Sequence, residues 1–90
     1  PQHLLERGRF ELAVLYHETG RSAEALAFLN LVVLEHPDGR YPARAIELQG
    51  RILEGEGRHQ EAKLAWERLL AQYPAYLFID DVRDELRALP

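Results

Sequence analysis

The chain contains no cysteine, which excludes disulfide bonds and thiolate chemistry. A cysteine-free protein is equally compatible with the cytoplasm and the periplasm, so the compartment stays open between these two. No N-terminal signal peptide is visible either.

Lysine is nearly absent, since Lys63 stands against ten arginines, and the formal net charge is −4. A general nucleic-acid binder needs a basic field that displaces counterions from phosphates. The charge balance therefore predicts no nucleic-acid partner. Arginine favours planar, bidentate pairing with carboxylates, and the alternative explanation of the arginine excess is a genome's codon bias.

Long apolar runs are also lacking, because no segment approaches the roughly 20 residues of a membrane span. We therefore expect no direct membrane insertion. The chain starts at Pro1 without a methionine and ends at Pro90, from which we expect a fragment of a larger protein. Its 47% hydrophobic and 29% charged residues are typical of a folded globular chain, and the length predicts one small domain over residues 1–90.

One sequence frame is written twice. "GRSAEALAFLNLVVLEHP" at 20–37 and "GRHQEAKLAWERLLAQYP" at 57–74 superimpose with a shift of 37 residues. Identity is concentrated at small residues and at the glycines and prolines that end helices, while apolar character persists between them. A structural repeat diverges in this way. The identical pairs are Gly20 and Gly57, Arg21 and Arg58, Glu24 and Glu61, Ala25 and Ala62, Pro37 and Pro74.

Each frame has a helical rhythm. Apolar residues recur in the first at spacings of 4, 3 and 1 from Ala25, which places them on one face of a helix. A glycine before each stripe suits the end of a preceding helix, and a proline after it stops the helix. Small residues at 13, 25, 50 and 62 predict close helix crossings. We predict an all-α fold of about five helices, with an amphipathic end helix over 79–89 whose other face is charged.

This arrangement resembles the tetratricopeptide repeat (TPR) family. The family's small residue, turn glycine, Glu-Ala pair and closing proline are matched over residues 6–37 and 43–74, and 79–89 is similar to its capping helix. The family's aromatic places are held by Tyr16 and Trp66, with Leu53 and Leu29 at the equivalent places of the other repeat. The resemblance implies a superhelix of antiparallel helix hairpins. It also implies a protein–protein interaction scaffold that binds a peptide or a partner helix in a concave groove.

Three features depart from the family pattern. Arg9 and Gln49 occupy places that are normally apolar, and the period is 37 residues instead of about 34. The extra residues must fall in "DGRYPARA", so we expect the second hairpin to begin near Tyr41 or Pro42. The lengthened joint also resembles TPR proteins of the bacterial cell envelope, including outer-membrane assembly lipoproteins.

No constellation of residues predicts catalysis, a metal or a cofactor. The "HETGR" run from His17 lacks the second histidine of a zinc-protease helix. His36 takes the place that Tyr73 takes in the second frame, so we interpret it as closing the core stripe. We therefore predict that the chain is not an enzyme.

The TPR resemblance places the concave groove on the first helix of each repeat. Three of the residues there are arginines that could grip a carboxylate or an acidic peptide, and the alternative is that they pair with Glu11, Glu47 and Glu54. The predicted groove residues are Arg7, Phe10, Val14, His17, Arg44, Glu47, Arg51 and Glu54.

A second candidate surface lies on the helix over 22–35, which is apolar nearly all round. Leu31 and Leu34 project about 150° from the centre of its core stripe, so we expect cover from outside the hairpin. The alternative function is therefore a structural module that forms a homo-oligomer or packs within its parent chain. The residues of this face are Leu26, Phe28, Leu31 and Leu34.

Overall fold

A computed structural model describes residues 1–90 of the chain, which form five α-helices and no strands. This confirms the all-α prediction. The helices are α1 (Gln2–Glu18), α2 (Ser22–Glu35), α3 (Pro42–Gly55), α4 (His59–Gln72) and α5 (Ile79–Ala88).

One glycine turn joins the two helices of each hairpin. Gly20 has φ of 79° and Gly57 has φ of 77°, a left-handed conformation that glycine adopts without a Cβ penalty. The following backbone N–H groups of Arg21 and Arg58 donate to carbonyls five residues back, at 2.8 and 2.9 Å. These bonds satisfy carbonyls that the ends of α1 and α3 would otherwise leave unpaired. The turn predicted from the repeated Gly-Arg pair is confirmed.

The chain divides into two compact units, 1–45 and 46–90. The first unit contains α1, α2 and the first turn of α3. Ala13 and Ala25 are fully buried where α1 and α2 pack, as their small size predicts. The core stripe of α2 is buried through Leu29, Val32 and Val33.

The second unit contains the rest of α3 with α4 and α5. Trp66 of α4 is fully buried, and its indole N–H donates to the carbonyl of Glu47 at 3.3 Å. A Cβ added at Gly50 would overlap this indole, so glycine is what lets the ring lie against the α3 backbone. Helix α5 packs on α4 and buries Val82 completely.

Helix α3 begins at Pro42, within the range that the lengthened joint predicts. Proline suits this position because the backbone N–H groups of a helix's first turn have no acceptor within the helix, so the N–H group that proline lacks is not needed there. None of the five helices combines the length and apolar character that crossing a bilayer requires.

Candidate partner-binding surface

Three side chains of the first unit form a layered surface, which we call the Arg44 surface: Phe10, Tyr41 and Arg44. The Phe10 ring is 8% exposed and stacks on Tyr41 with a centroid distance of 4.9 Å. The Arg44 guanidinium lies over the same Phe10 ring, 5.4 Å from its centroid. An arginine on an aromatic face is attracted by the ring quadrupole and keeps its edge N–H groups available.

A buried carboxylate fixes the segment that carries this surface. Glu6 of α1 is 3% exposed and accepts hydrogen bonds from the backbone N–H groups of Arg40 at 3.0 Å and Tyr41 at 2.8 Å. Gly39 lies against the carboxylate so closely that a Cβ there would overlap it. Because these bonds hold the residue just before α3, they also set where Tyr41 and Arg44 lie.

The other predicted groove residues of the first unit lie on the outer side of α1. Arg7 donates to Glu11 at 2.6 Å, and both side chains are more than 60% exposed. This hydrogen bond, together with the glutamate charge, raises the pKa of Arg7. Val14 is half-buried and His17 is exposed.

The predicted groove residues of the second unit are engaged with one another. Glu47 accepts from the hydroxyl of Tyr76 at 2.5 Å and from Arg51 at 3.0 Å. Arg51 also lies 3.6 Å from Glu85 of α5, so two carboxylates face this guanidinium. Glu54 is exposed. Arg7 and Arg51 therefore pair with glutamates, as the alternative to ligand binding predicts. Arg44 lies over the Phe10 ring instead.

The apolar face predicted on α2 is largely covered. Leu26, Phe28 and Leu31 are half-buried, and Phe28 stacks on Tyr16 at a centroid distance of 5.6 Å. Leu34 alone is strongly exposed, at 62%.

Arg9, the polar residue in a place that is normally apolar, has an internal role. Its guanidinium donates to Glu35 at 2.6 Å and lies 3.2 Å from Nε2 of His36. Because a guanidinium carries donors only, Nε2 acts as the acceptor. Arg9 and His36 thus make a polar contact between α1 and the end of α2, with His36 itself 7% exposed.

Sequence reasoning missed Glu6, Tyr41, Tyr76 and Glu85. Glu6 carried one usable signal, since it lies 4 and 7 residues before Phe10 and Ala13 and so shares their buried face. Tyr76 and Glu85 carried none, because their partners lie 29 and 34 residues away in the chain.

The chain consists of two helix hairpins of the same pattern, and each has a left-handed glycine in its turn. One amphipathic helix follows the second hairpin. This arrangement defines a helical-repeat protein. The tetratricopeptide repeat model matches the chain twice, over residues 8–39 and 44–76, and the chain belongs to this family. Such repeats generally mediate protein–protein interaction, and the family is typically a non-catalytic scaffold. Comparison with curated proteins and with solved structures gave no match.

Proposed function

We propose that this chain is a non-catalytic interaction module that binds an acidic segment of a protein partner through the Arg44 surface. The segment would lie along the outer side of α1, past Arg7, Val14 and His17, and place a carboxylate on Arg44. The proposal retains the predicted binding of a peptide or a partner helix and assigns the main contact to the Arg44 guanidinium and a carboxylate of the partner.

The observation that supports the proposal is the difference between Arg44 and the other two groove arginines. Arg7 and Arg51 already face carboxylates of their own units, whereas Arg44 is exposed and rests on an aromatic ring. A guanidinium held by a ring has lost part of its side-chain freedom before a ligand arrives, which lowers the entropic cost of binding. Its planar fork then matches a carboxylate in a bidentate geometry.

Several contacts hold the residues beneath Arg44 in place. Phe10 is buried, Tyr41 stacks on it, and the two backbone bonds to Glu6 hold the joint. A binding residue is most effective when neighbouring contacts fix its position. The predicted contribution of Glu47, Arg51 and Glu54 to partner binding stays a prediction.

The test starts from a displayed library of random dodecapeptides selected on the wild-type chain. We expect the selected peptides to be enriched in aspartate and glutamate. The affinity of one synthetic selected peptide is then measured by fluorescence anisotropy. Because a hydrogen bond to a charged group contributes about 1.5–3 kcal/mol, Arg44→Ala should weaken binding by roughly tenfold to a hundredfold.

Arg40→Ala is the matched control, because it removes the same charge from an exposed position four residues away that has no aromatic support. Binding that falls equally in the two variants would show a general charge effect and contradict the proposal. Selected peptides without acidic residues would also contradict it.

The second candidate function is self-association through the outer face of α2, and the exposure of Leu34 favours it. Leu34→Glu should then shift an associated species to the monomer in sedimentation velocity while leaving peptide binding intact. A sedimentation coefficient identical in wild type and variant at every concentration would reject this function.

A further inference from the structure

Two histidines lie on the same side of α1 as Phe10, one at each end of the Arg44 surface. His3 lies seven residues before Phe10, and His17 lies seven residues after it. Seven residues are close to two turns of an α-helix, so each histidine points within about 20° of the Phe10 direction. The same geometry places each histidine about 10 Å along the helix axis from Phe10.

Both imidazoles are accessible to a ligand. His3 and His17 are exposed, and neither side chain makes a hydrogen bond or an ion pair within the chain. His36, by contrast, is 7% exposed and accepts from Arg9. The two histidines beside the Arg44 surface are therefore not required for internal contacts.

The charged groups around His17 leave its imidazole unpaired. Glu18, the next residue, lies about 100° further round α1 and is exposed. At the start of α2, Arg21 lies over the Tyr16 ring at 4.7 Å and donates to Glu24 at 2.7 Å. No carboxylate lies within ion-pair distance of His17, so a proton there adds an unpaired cation.

His3 lies at the open pocket between the start of α1 and the joint that follows α2. Two carboxylates of this pocket are engaged, since Glu6 accepts from two backbone N–H groups and Glu35 belongs to an ion pair. Asp38 is exposed and makes no ion pair, so it competes with a ligand for a protonated His3. We therefore expect His3 to contribute less than His17. The charged and titratable groups that line the pocket with His3 are Glu6, Glu35, His36, Asp38 and Arg40.

We propose that the Arg44 surface binds its acidic partner more tightly as pH falls from about 8 to about 6, because His17 and His3 gain protons beside the bound segment. The inference rests on the proposed function, in which a carboxylate of the segment lies on Arg44. Histidine is the side chain whose charge changes between about pH 5 and 8, whereas the aspartates and glutamates of a partner stay ionised above about pH 6. Acidification therefore adds two cations to the surface and removes no charge from the ligand.

The spacing of the two histidines also defines the ligand. The Arg44 guanidinium lies over the Phe10 ring, midway between them. An extended segment covers 10 Å in about three residues. A segment anchored by one carboxylate on Arg44 therefore places its residues three positions before and three positions after that carboxylate beside the imidazoles. The partner class is a segment with acidic residues at these three positions.

The affinity of a selected acidic peptide at two pH values tests the proposal. The peptide is acetylated at its amino terminus, contains no histidine and is titrated by fluorescence anisotropy at pH 8 and pH 6, above the isoelectric point near 5.5. An exposed charge pair changes affinity by about 1.4-fold to fivefold, so the wild type should bind roughly twofold to tenfold more tightly at pH 6. In His3→Gln/His17→Gln this ratio should fall below about 1.5-fold, and of the single variants His17→Gln should lower it more.

Two controls separate the charge effect from a change in structure. His59→Gln removes a half-buried histidine of α4, outside the Arg44 surface, and should keep the wild-type ratio. A peptide whose outer acidic residues are replaced by their amides should still depend on Arg44 but lose the pH response. Circular dichroism reports whether each variant stays folded at both pH values.

Calorimetry provides a second readout that a purely structural role of the histidines would not change. Tighter binding at lower pH requires that protons are taken up when the complex forms. Titrations at pH 6.5 in buffers of different ionisation enthalpy should therefore show net proton uptake in the wild type and much less in His3→Gln/His17→Gln.

The outcomes distinguish this inference from the proposed function. Binding that depends on Arg44 but has the same affinity at pH 8 and pH 6 overturns the inference alone, as does a double variant that keeps the full ratio. If no acidic peptide binds in an Arg44-dependent manner at either pH, the proposed function and the inference are both wrong.

Discussion

The Trp66 indole packs against the bare Cα of Gly50, and this contact decides what a methyl group would do there. In an open helix position, glycine to alanine stabilises by about 1 kcal/mol because alanine is the better helix former. At Gly50 the added Cβ would overlap a fully buried ring that also donates a hydrogen bond to Glu47. The ring cannot move without losing both its packing and this bond.

We therefore expect Gly50→Ala to lower the free energy of unfolding by about 1–3 kcal/mol, the usual cost of overpacking. Urea unfolding followed by tryptophan fluorescence measures it. The control is Gly8→Ala, measured at concentrations where the chain is monomeric, since a Cβ there meets nothing. It should raise the free energy of unfolding by up to about 1 kcal/mol. Equal effects of the two substitutions would show that the indole yields to the methyl group.

Gly50 and Glu6 show how far sequence reasoning reaches at the scale of one residue. Close packing at Gly50 was predictable, because Gly50 takes the place that the small residue Ala13 takes in the first repeat, where two helices cross. The role of Glu6 was not, because its carboxylate accepts from backbone N–H groups 34 and 35 residues away. Every residue except proline can supply a backbone N–H, so the residue type does not identify such a partner.

At the scale of the element, the second helix of each hairpin begins with the same ion pair. Arg21 donates to Glu24 at 2.7 Å in the first turn of α2, and Arg58 donates to Glu61 at 2.5 Å in the first turn of α4. The hydrogen bonds from the arginines lower the pKa of both carboxyl groups below the ordinary value of 4.5. A carboxylate in a first turn is also favoured by the helix dipole.

The sign of the pH dependence follows from that direction. A carboxyl group whose pKa is lower in the folded state contributes stability above its unfolded pKa and loses it as pH falls through the folded pKa. We expect the double variant Glu24→Gln/Glu61→Gln to be less stable than wild type near pH 6. The difference should shrink towards zero as pH falls below about 4. Both pairs are exposed, so the effect is small.

Thermal unfolding followed by circular dichroism over this pH range measures the difference. Glu18→Gln/Glu67→Gln is the control, because it removes the same two charges from exposed helical positions. A constant difference from pH 6 to below pH 4 would mean that the carboxylates contribute nothing through their charge.

The order and type of the elements were almost wholly predictable. The repeated Gly-Arg and the closing prolines bound the two hairpins, and α3 begins at the predicted Pro42. The residues of the binding surface were less predictable. Phe10 was expected to project into the groove, but it is buried under Arg44 and against Tyr41. Periodicity alone does not say which of two helix faces a neighbouring loop covers.

At the scale of the whole molecule, α3 is the element that matters for cooperativity. It runs without interruption through residues 45 and 46, where the two compact units meet along the chain. Ala45 is core in the first unit, and Ile46, Ile52 and Leu53 are core in the second. Unfolding of α3 therefore removes buried apolar surface from both units at once. Neighbouring repeats unfold together when the same element stabilises both of them.

We expect residues 1–90 to unfold as one domain, and a substitution confined to one unit tests this. Glu6→Gln removes the charge from an acceptor of two backbone bonds in the first unit, which should cost about 1–2 kcal/mol. Native-state hydrogen exchange should then show the slowest amides of α4 losing as much protection as those of α1. Gly50→Ala is the reciprocal change, made in the second unit, and should lower protection in α1 equally. If each substitution instead lowers protection only in its own half of the chain, the two repeats unfold independently and the single-domain prediction is wrong.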